Sequence, residues 1–284
     1  MQVFLHRILV LEKYLPDPLP ETTSISLTST RDPISGRIAN FPWWLAAIIL
    51  ILIATFYFIF TNESFAEAFD FIKQGISITI TTTVYSYAIA LVIGLVAGLG
   101  RVSRNLIIRN IARFYVEVVR GIPILVLIFY IAFVAVTDFS NLVGIETRGV
   151  SPNLRAIVAL SIAYGAFLAE VFRAGIQSIG VGQMEASRSL GMSYGQSMRY
   201  VILPQAVRNI LPALGNDFIS MLKDSSLVSV LAVRDITQVA RLHAGSTFRF
   251  REAYTILAVF YLSMTLVLSA LVQQLEKRLH GNRR

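Results

Sequence analysis

The stretch Ala253-Tyr-Thr-Ile-Leu-Ala-Val-Phe-Tyr-Leu-Ser-Met-Thr-Leu-Val-Leu-Ser-Ala-Leu-Val-Gln-Gln-Leu275 contains no charged residue. Wound into a helix at about 1.5 Å per residue, it is long enough to cross the roughly 30 Å hydrocarbon layer of a bilayer. It therefore predicts a membrane-spanning helix and sets the fold class of the whole chain.

Five more stretches extend the pattern. From Ile38 to Asn62 there is no charge, and the heart of that stretch, Trp43 to Phe60, is long enough to span, with Trp43 and Trp44 at the interface. A second span lies between Lys73 and Arg101; it opens on the hydroxyls of Ser77, Thr79, Thr81, Thr82 and Thr83. It closes on Gly94 and Gly98, a small-xxx-small pair that lets helices approach closely. A third runs from about Tyr115 to Val136 and a fourth from about Ala156 to Ile176. The fifth, Ala206 to Ala232, is unusual because it holds Arg208, Asp217, Lys223 and Asp224. Residues 1–37 are polar and broken by Pro16, Pro18, Pro20 and Pro33, which predicts a loosely ordered tail. A signal peptide would place its apolar core and cleavage site earlier, so residues 38–62 are expected to be a retained N-terminal membrane helix.

Composition agrees. Of 284 residues, 55% are hydrophobic and only 15% charged, with mean hydropathy +0.65. Soluble domains carry nearer one quarter charged residues. The net charge of +8 would suggest nucleic acid in a soluble protein, but here the charges sit mainly between apolar stretches. That placement predicts a lipid bilayer as partner and no nucleic acid. The fold class is all-α, a polytopic membrane helix bundle.

Basic residues set the orientation. Arg31 and Arg37 precede the first span, and Glu63, Glu67 and Asp70 follow it. Arg101, Arg104, Arg109 and Arg113 lie between spans two and three, and the tail carries Lys277, Arg278, Arg283 and Arg284. Six spans with both termini cytoplasmic follow. Residues 233–252 fall outside by parity yet hold Arg234, Arg241, Arg249 and Arg251. This segment is expected to fold back onto the bundle.

Catalytic signatures are missing from the sequence. There is no G-x-x-x-x-G-K-[ST] phosphate loop, so no ATP cradle of the usual kind. His6, His243 and His280 lack ligand spacing, and there is no cysteine, so no metal set is expected. No G-x-S-x-G elbow occurs. No catalytic residue, metal or bound cofactor is assigned to this chain.

The informative polar stretch is Gly182-Gln183-Met-Glu185-Ala186-Ser187-Arg-Ser-Leu-Gly191-Met-Ser193-Tyr-Gly-Gln196, running on to Val201-Ile-Leu203-Pro204. It predicts two short helices. The first runs from about Gln183 to Leu190 and stops at Gly191, the residue best able to take a left-handed cap. The second starts on Ser193 and Gln196, spaced as a capping box. Pro204 limits how far that helix continues unbroken. A capped elbow on the cytoplasmic face suits a groove on a partner.

This elbow resembles the E-A-A-x-x-x-G, nine residues, I-x-L-P signature of the permease subunits of ABC importers. Glu185, Ala186, Gly191, Leu203 and Pro204 match, while Ser187 and Val201 are mild replacements. Three further stretches are similar to the polar amino acid branch of that family: Tyr115-Val-Glu117-Val-Val-Arg120-Gly121-Ile-Pro123, Ala166-Phe167-Leu-Ala169-Glu170-Val-Phe-Arg173-Ala-Gly175, and Lys223-Asp224-Ser225-Ser226-Leu227. The resemblance covers about residues 70–280 and implies a core of five membrane helices, to which the helix at 38–62 and the tail are additions. It implies a permease that works with ATP-binding cassette ATPase subunits, which hydrolyse the ATP and receive the elbow. A second permease copy or a sister permease completes the pathway, and an extracytoplasmic solute-binding protein delivers a polar amino acid. The setting implied is the inner membrane of a prokaryote.

Charges inside the bilayer add a separate argument, since such residues are costly and usually face a partner or a wet cavity. Glu117 and Arg120 share a helix face, as do Glu170 and Arg173, so each set is expected to pair at a helix end. In span five, Asn216, Asp217, Ser220, Lys223 and Asp224 either line a substrate pathway or bond helices together. Tyr164 and Gly165, at mid-depth in span four, either line the same cavity or pack. Two rival functions stay open: an ion- or proton-coupled secondary carrier, which would use intramembrane carboxylates itself, and a membrane adaptor without transport.

Overall fold

The computed structural model describes residues 43–144, 146 and 149–280. The expected tail, residues 1–37, lies outside the described residues. The chain divides into two units, Met1–Ile49 and Leu50–Arg284. In the first unit the described residues are the opening turns of helix α1 (Trp43–Thr61).

The second unit is a bundle of helices, with no strand among the described residues. Asn62 ends α1 and caps α2 (Glu63–Ile72), its side chain accepting from the Ser64 N–H. A tight turn at Lys73–Gly75 leads directly into α3 (Ile76–Arg101). Asn105 caps α4 (Leu106–Gly121). Helix α5 (Ile124–Leu142) contains a widened turn at Tyr130–Ala135. Ser151 caps α6 (Pro152–Gln177), with Pro152 in the first turn where its missing N–H costs nothing. The elbow helices α7 (Val181–Ser189) and α8 (Tyr194–Ser197) follow, then α9 (Leu203–Asp224), α10 (Ile236–Thr247) and α11 (Phe250–His280).

The spine of the bundle is the α3–α6 pair. At Gly94 an added Cβ would sit 2.6 Å from Leu168 Cβ, and at Gly98 one would sit 2.7 Å from Phe172 Cβ. The two glycines thus let α6 lie against α3 at a distance no larger residue permits. Around this pair α4, α5 and α6 bury Val116, Val119, Ile128, Ala156, Leu160 and Ala163. A second core joins α2, α10 and α11 through Phe65, Ile72, Ile236, Ala240 and Ile256. The arginine-rich segment 233–252 is therefore a helix laid onto the bundle. Its His243 is buried against the ring of Phe71, and Arg249 pairs with Glu67.

Two expected spans need correction. Four described helices are picked out by length and hydropathy as able to cross a bilayer: Glu63–Arg101, Ile124–Leu142, Pro152–Gln177 and Phe250–Leu279. Helix α1, Trp43–Thr61, runs for 19 residues without a charge. Span three does not run unbroken from Tyr115. Helix α4 stops at Gly121, and Ile122 is extended (φ −103°, ψ 135°), as the residue before a proline is pushed to be. Span five ends as an α-helix at Asp224, short of Ala232. A 3₁₀ turn, Ser225–Leu231, follows, and the chain leaves it at Ala232 with φ 60°. Helix α9 is long enough to cross but too rich in charge to count as apolar.

Candidate functional site: a capped elbow and a polar helix face

The elbow is built by local chemistry. At the end of α7 the Met192 N–H donates to the Ser187 carbonyl (3.2 Å) and the Gly191 N–H to the Arg188 carbonyl (3.0 Å). This is the six-to-one and five-to-two pair that closes a helix on a left-handed residue, and Gly191 has φ +82°. Two residues on, the Gln196 N–H donates to Ser193 Oγ (3.2 Å) and the Ser193 N–H to Gln196 Oε1 (2.7 Å), a complete capping box. A widened turn at Met198–Ile202 then absorbs the break that Pro204 imposes. Gln183, Glu185 and Ala186 lie exposed on α7, while Leu203 and Pro204 start α9. Val181 (72%), Leu190 (83%) and Tyr200 (63%) are also exposed, so the elbow offers apolar side chains outward. Arg104, from the α3–α4 corner, sits 4.5 Å over the Tyr194 ring and places that corner at the same end of the bundle.

At the middle of the bundle α9 meets α3 and α6. Tyr164 donates its hydroxyl proton to Asp224 Oδ2 at 2.7 Å. Tyr87 of α3 donates to the Leu214 carbonyl at 2.6 Å, and its ring meets Phe218 edge-on. Asp217 is half-buried, and its Oδ2 is buried with no hydrogen-bond partner among the described residues. Ser220 is also half-buried, whereas Asn216 and Lys223 are exposed. Lys223 and Asp224 do not pair with each other; Asp224 is taken by Tyr164. Gly165 does not join this cluster. A Cβ there would meet Ile93 (2.6 Å) and the Tyr115 hydroxyl (2.7 Å), so it is a packing position on another face of α6. Tyr87 was not singled out by the sequence; its partner is a backbone carbonyl of a distant helix, which leaves no motif.

The helix-end charges come together, in a different pairing. Arg173 bonds Glu170 through Nε at 3.1 Å to both carboxylate oxygens, as its spacing predicts. Glu117 instead faces Arg101 (3.8 Å), and Arg120 lies 5.7 Å over the Phe167 ring. The reason is Arg101, in the last turn of α3, which reaches both acids. Its Nη1 stands 2.9 Å from Glu170 Oε2, close enough for charge attraction though not aligned as a hydrogen bond.

A helical membrane bundle with a capped elbow at one end and a polar helix through its centre defines a membrane-embedded transport component. Residues 90–281 match the family described as binding-protein-dependent transport system inner membrane component, and the chain belongs to that family. It is 38% identical to the glutamine transport system permease protein GlnP of Escherichia coli (strain K12), over 75% of this chain and 94% of that one. It is 37% identical to the probable glutamine ABC transporter permease protein GlnM of Bacillus subtilis (strain 168), over 75% and 95%. A crystal structure of an amino acid ABC transporter with histidines is similar at 40% identity and TM-score 0.67, covering 74% of this chain and 94% of that one. The inward-facing MetNI methionine ABC transporter shares the fold at 20% identity and TM-score 0.61. These relatives give the secondary-carrier alternative no support.

Proposed function

We propose that this chain is the permease subunit of an ATP-binding cassette importer that moves a polar amino acid into the cytoplasm. The observation that carries the reading is the elbow: a short helix pair fixed at both joints, with Leu190 and Tyr194 facing outward where a partner would seat. ATP is bound and hydrolysed on that partner, and this chain holds no nucleotide or metal of its own. Glu185 is exposed midway along α7, where it can reach that partner. The elbow, both termini and the α3–α4 corner then lie on the cytoplasmic side. A second copy or sister permease faces the polar side of α9, and a solute-binding protein docks on the opposite side.

Substrate contact falls to α9. An amino acid needs partners for an ammonium and a carboxylate. Asp217, with an unpaired buried oxygen, is suited to the first. Exposed Lys223 and Asn216 are suited to the second. Losing one such partner costs about 1–3 kcal/mol. Titrating glutamine, arginine and histidine against stimulated ATPase, in proteoliposomes holding all subunits, tests this. Asp217→Asn, Asn216→Ala and Ser220→Ala should raise half-saturation about five- to a hundredfold while basal ATPase survives. Unchanged half-saturation in all three, with normal assembly, assigns α9 to structure alone.

A further inference from the structure

We propose that helix α4 is a binding stripe for anionic phospholipid, on the leaflet at the elbow end of the bundle. The helix presents three faces, which follow from its 3.6-residue period. One, with Ala112, Val116 and Val119, is buried in the bundle. A second, with Ile107 (70%), Ile111 (65%), Phe114 (71%) and Val118 (43%), is apolar and open along three turns. The third carries Arg109 and Arg113 one turn apart, both exposed and with no ion pair among the described residues. The one acid further along that face, Glu117, is met by Arg101.

The composition of the apolar face says what covers it. Where this protein packs helix on helix closely, it uses Gly94 and Gly98. On α4 the open face is made of large, branched and aromatic side chains, which hold a neighbouring helix away but suit acyl chains. Arginines beside such a face reach headgroup phosphates along their aliphatic stems. Arg104, held over Tyr194, fixes the start of α4 beside the elbow, so the stripe lies at one end of the bundle rather than at its middle. The expected ligand is a lipid whose headgroup carries net negative charge, with phosphatidylglycerol as the probe. The proposal needs only a bilayer around the bundle and stands apart from the substrate and the direction of transport.

The chain contains no cysteine, so a single Phe114→Cys accepts a nitroxide cleanly. In vesicles of phosphatidylcholine and phosphatidylglycerol, the full chain with its co-purifying subunits should show strong relaxation by oxygen and weak relaxation by a water-soluble nickel chelate. Protection from both would mean that a second copy or another protein covers the face, and strong nickel relaxation would place it in water; either result overturns the proposal. Partition of spin-labelled phosphatidylglycerol against phosphatidylcholine tests the arginines. The preference should fall about fivefold for each of Arg109→Gln and Arg113→Gln. It should persist in the Arg109→Lys/Arg113→Lys variant and in a Lys277→Gln/Arg278→Gln control. A preference unchanged by the glutamine pair, or lost equally in the control, overturns the assignment.

Discussion

Tyr164 and Asp224 are joined by a 2.7 Å hydrogen bond that ties the middle of α6 to the last turn of α9. Tyr164 is almost fully buried, so the bond is shielded from water. Replacing Tyr164 with phenylalanine leaves the carboxylate without its donor and should cost about 1–3 kcal/mol of stability. Thermal unfolding in detergent measures it. If the bond is responsible, Asp224→Ala should destabilise the Tyr164→Phe background less than the parent chain. Equal effects in both backgrounds would show that the two residues act independently.

Gly94 and Gly98 should not tolerate size. Leucine at either position meets Leu168 or Phe172 at distances shorter than any van der Waals contact. The α3–α6 pair would be forced apart. Gly94→Leu and Gly98→Leu are expected to lose the monodisperse peak in size-exclusion chromatography, whereas Gly180→Ala, with open space around it, should run as the parent does.

At Gly191 the cost is purely one of backbone conformation. An added Cβ meets nothing within 4 Å, but φ is +82°. Alanine there should cost about 1 kcal/mol, felt locally in the elbow rather than in the core. The expected outcome is normal expression and melting with reduced ATPase co-purification and uptake. Glu185→Ala should behave alike. Wild-type uptake in both variants would remove the elbow from coupling.

Much of this architecture was legible because it is local. The capping box of Ser193 and Gln196, the left-handed Gly191 and the close glycines of α3 each depend on a few neighbouring residues. Pairing across the fold was not legible. Arg101 gave no sign that it would draw Glu117 away from Arg120, since that choice depends on where α3 ends relative to α4 and α6. Tyr164 and Gly165 are adjacent in sequence, yet about 100° apart on the helix, so one meets Asp224 and the other meets Ile93. Span three differs from its expected course for another reason. The uncharged run from Gly121 to Val136 extends the span on one side of Pro123, but the proline pushes Ile122 out of the helix and separates it from Tyr115 to Arg120.

Asp235 supplies a pH dependence. It is fully buried, and its carboxylate caps α10 by accepting from the Gln238 N–H at 2.9 Å. Burial pushes it up to about 6, although the hydrogen bonds it accepts pull the other way. The folded chain therefore keeps a proton between about pH 4 and 6 that the unfolded chain has released. Stability should fall as pH rises through that window, by on the order of 3 kcal/mol. Asp235→Asn should flatten the dependence of melting temperature on pH from 4 to 7. An identical slope in the variant would assign the dependence to other groups.

The most direct test of the account is solute uptake by purified chains in proteoliposomes. This chain would be combined with its ATPase, its binding protein and any sister permease, with ATP supplied only on the elbow side. The account predicts amino acid accumulation that requires ATP and the ATPase subunit and is reduced in Gly191→Ala. Accumulation by this chain alone, driven by an ion or proton gradient without ATP, would contradict it.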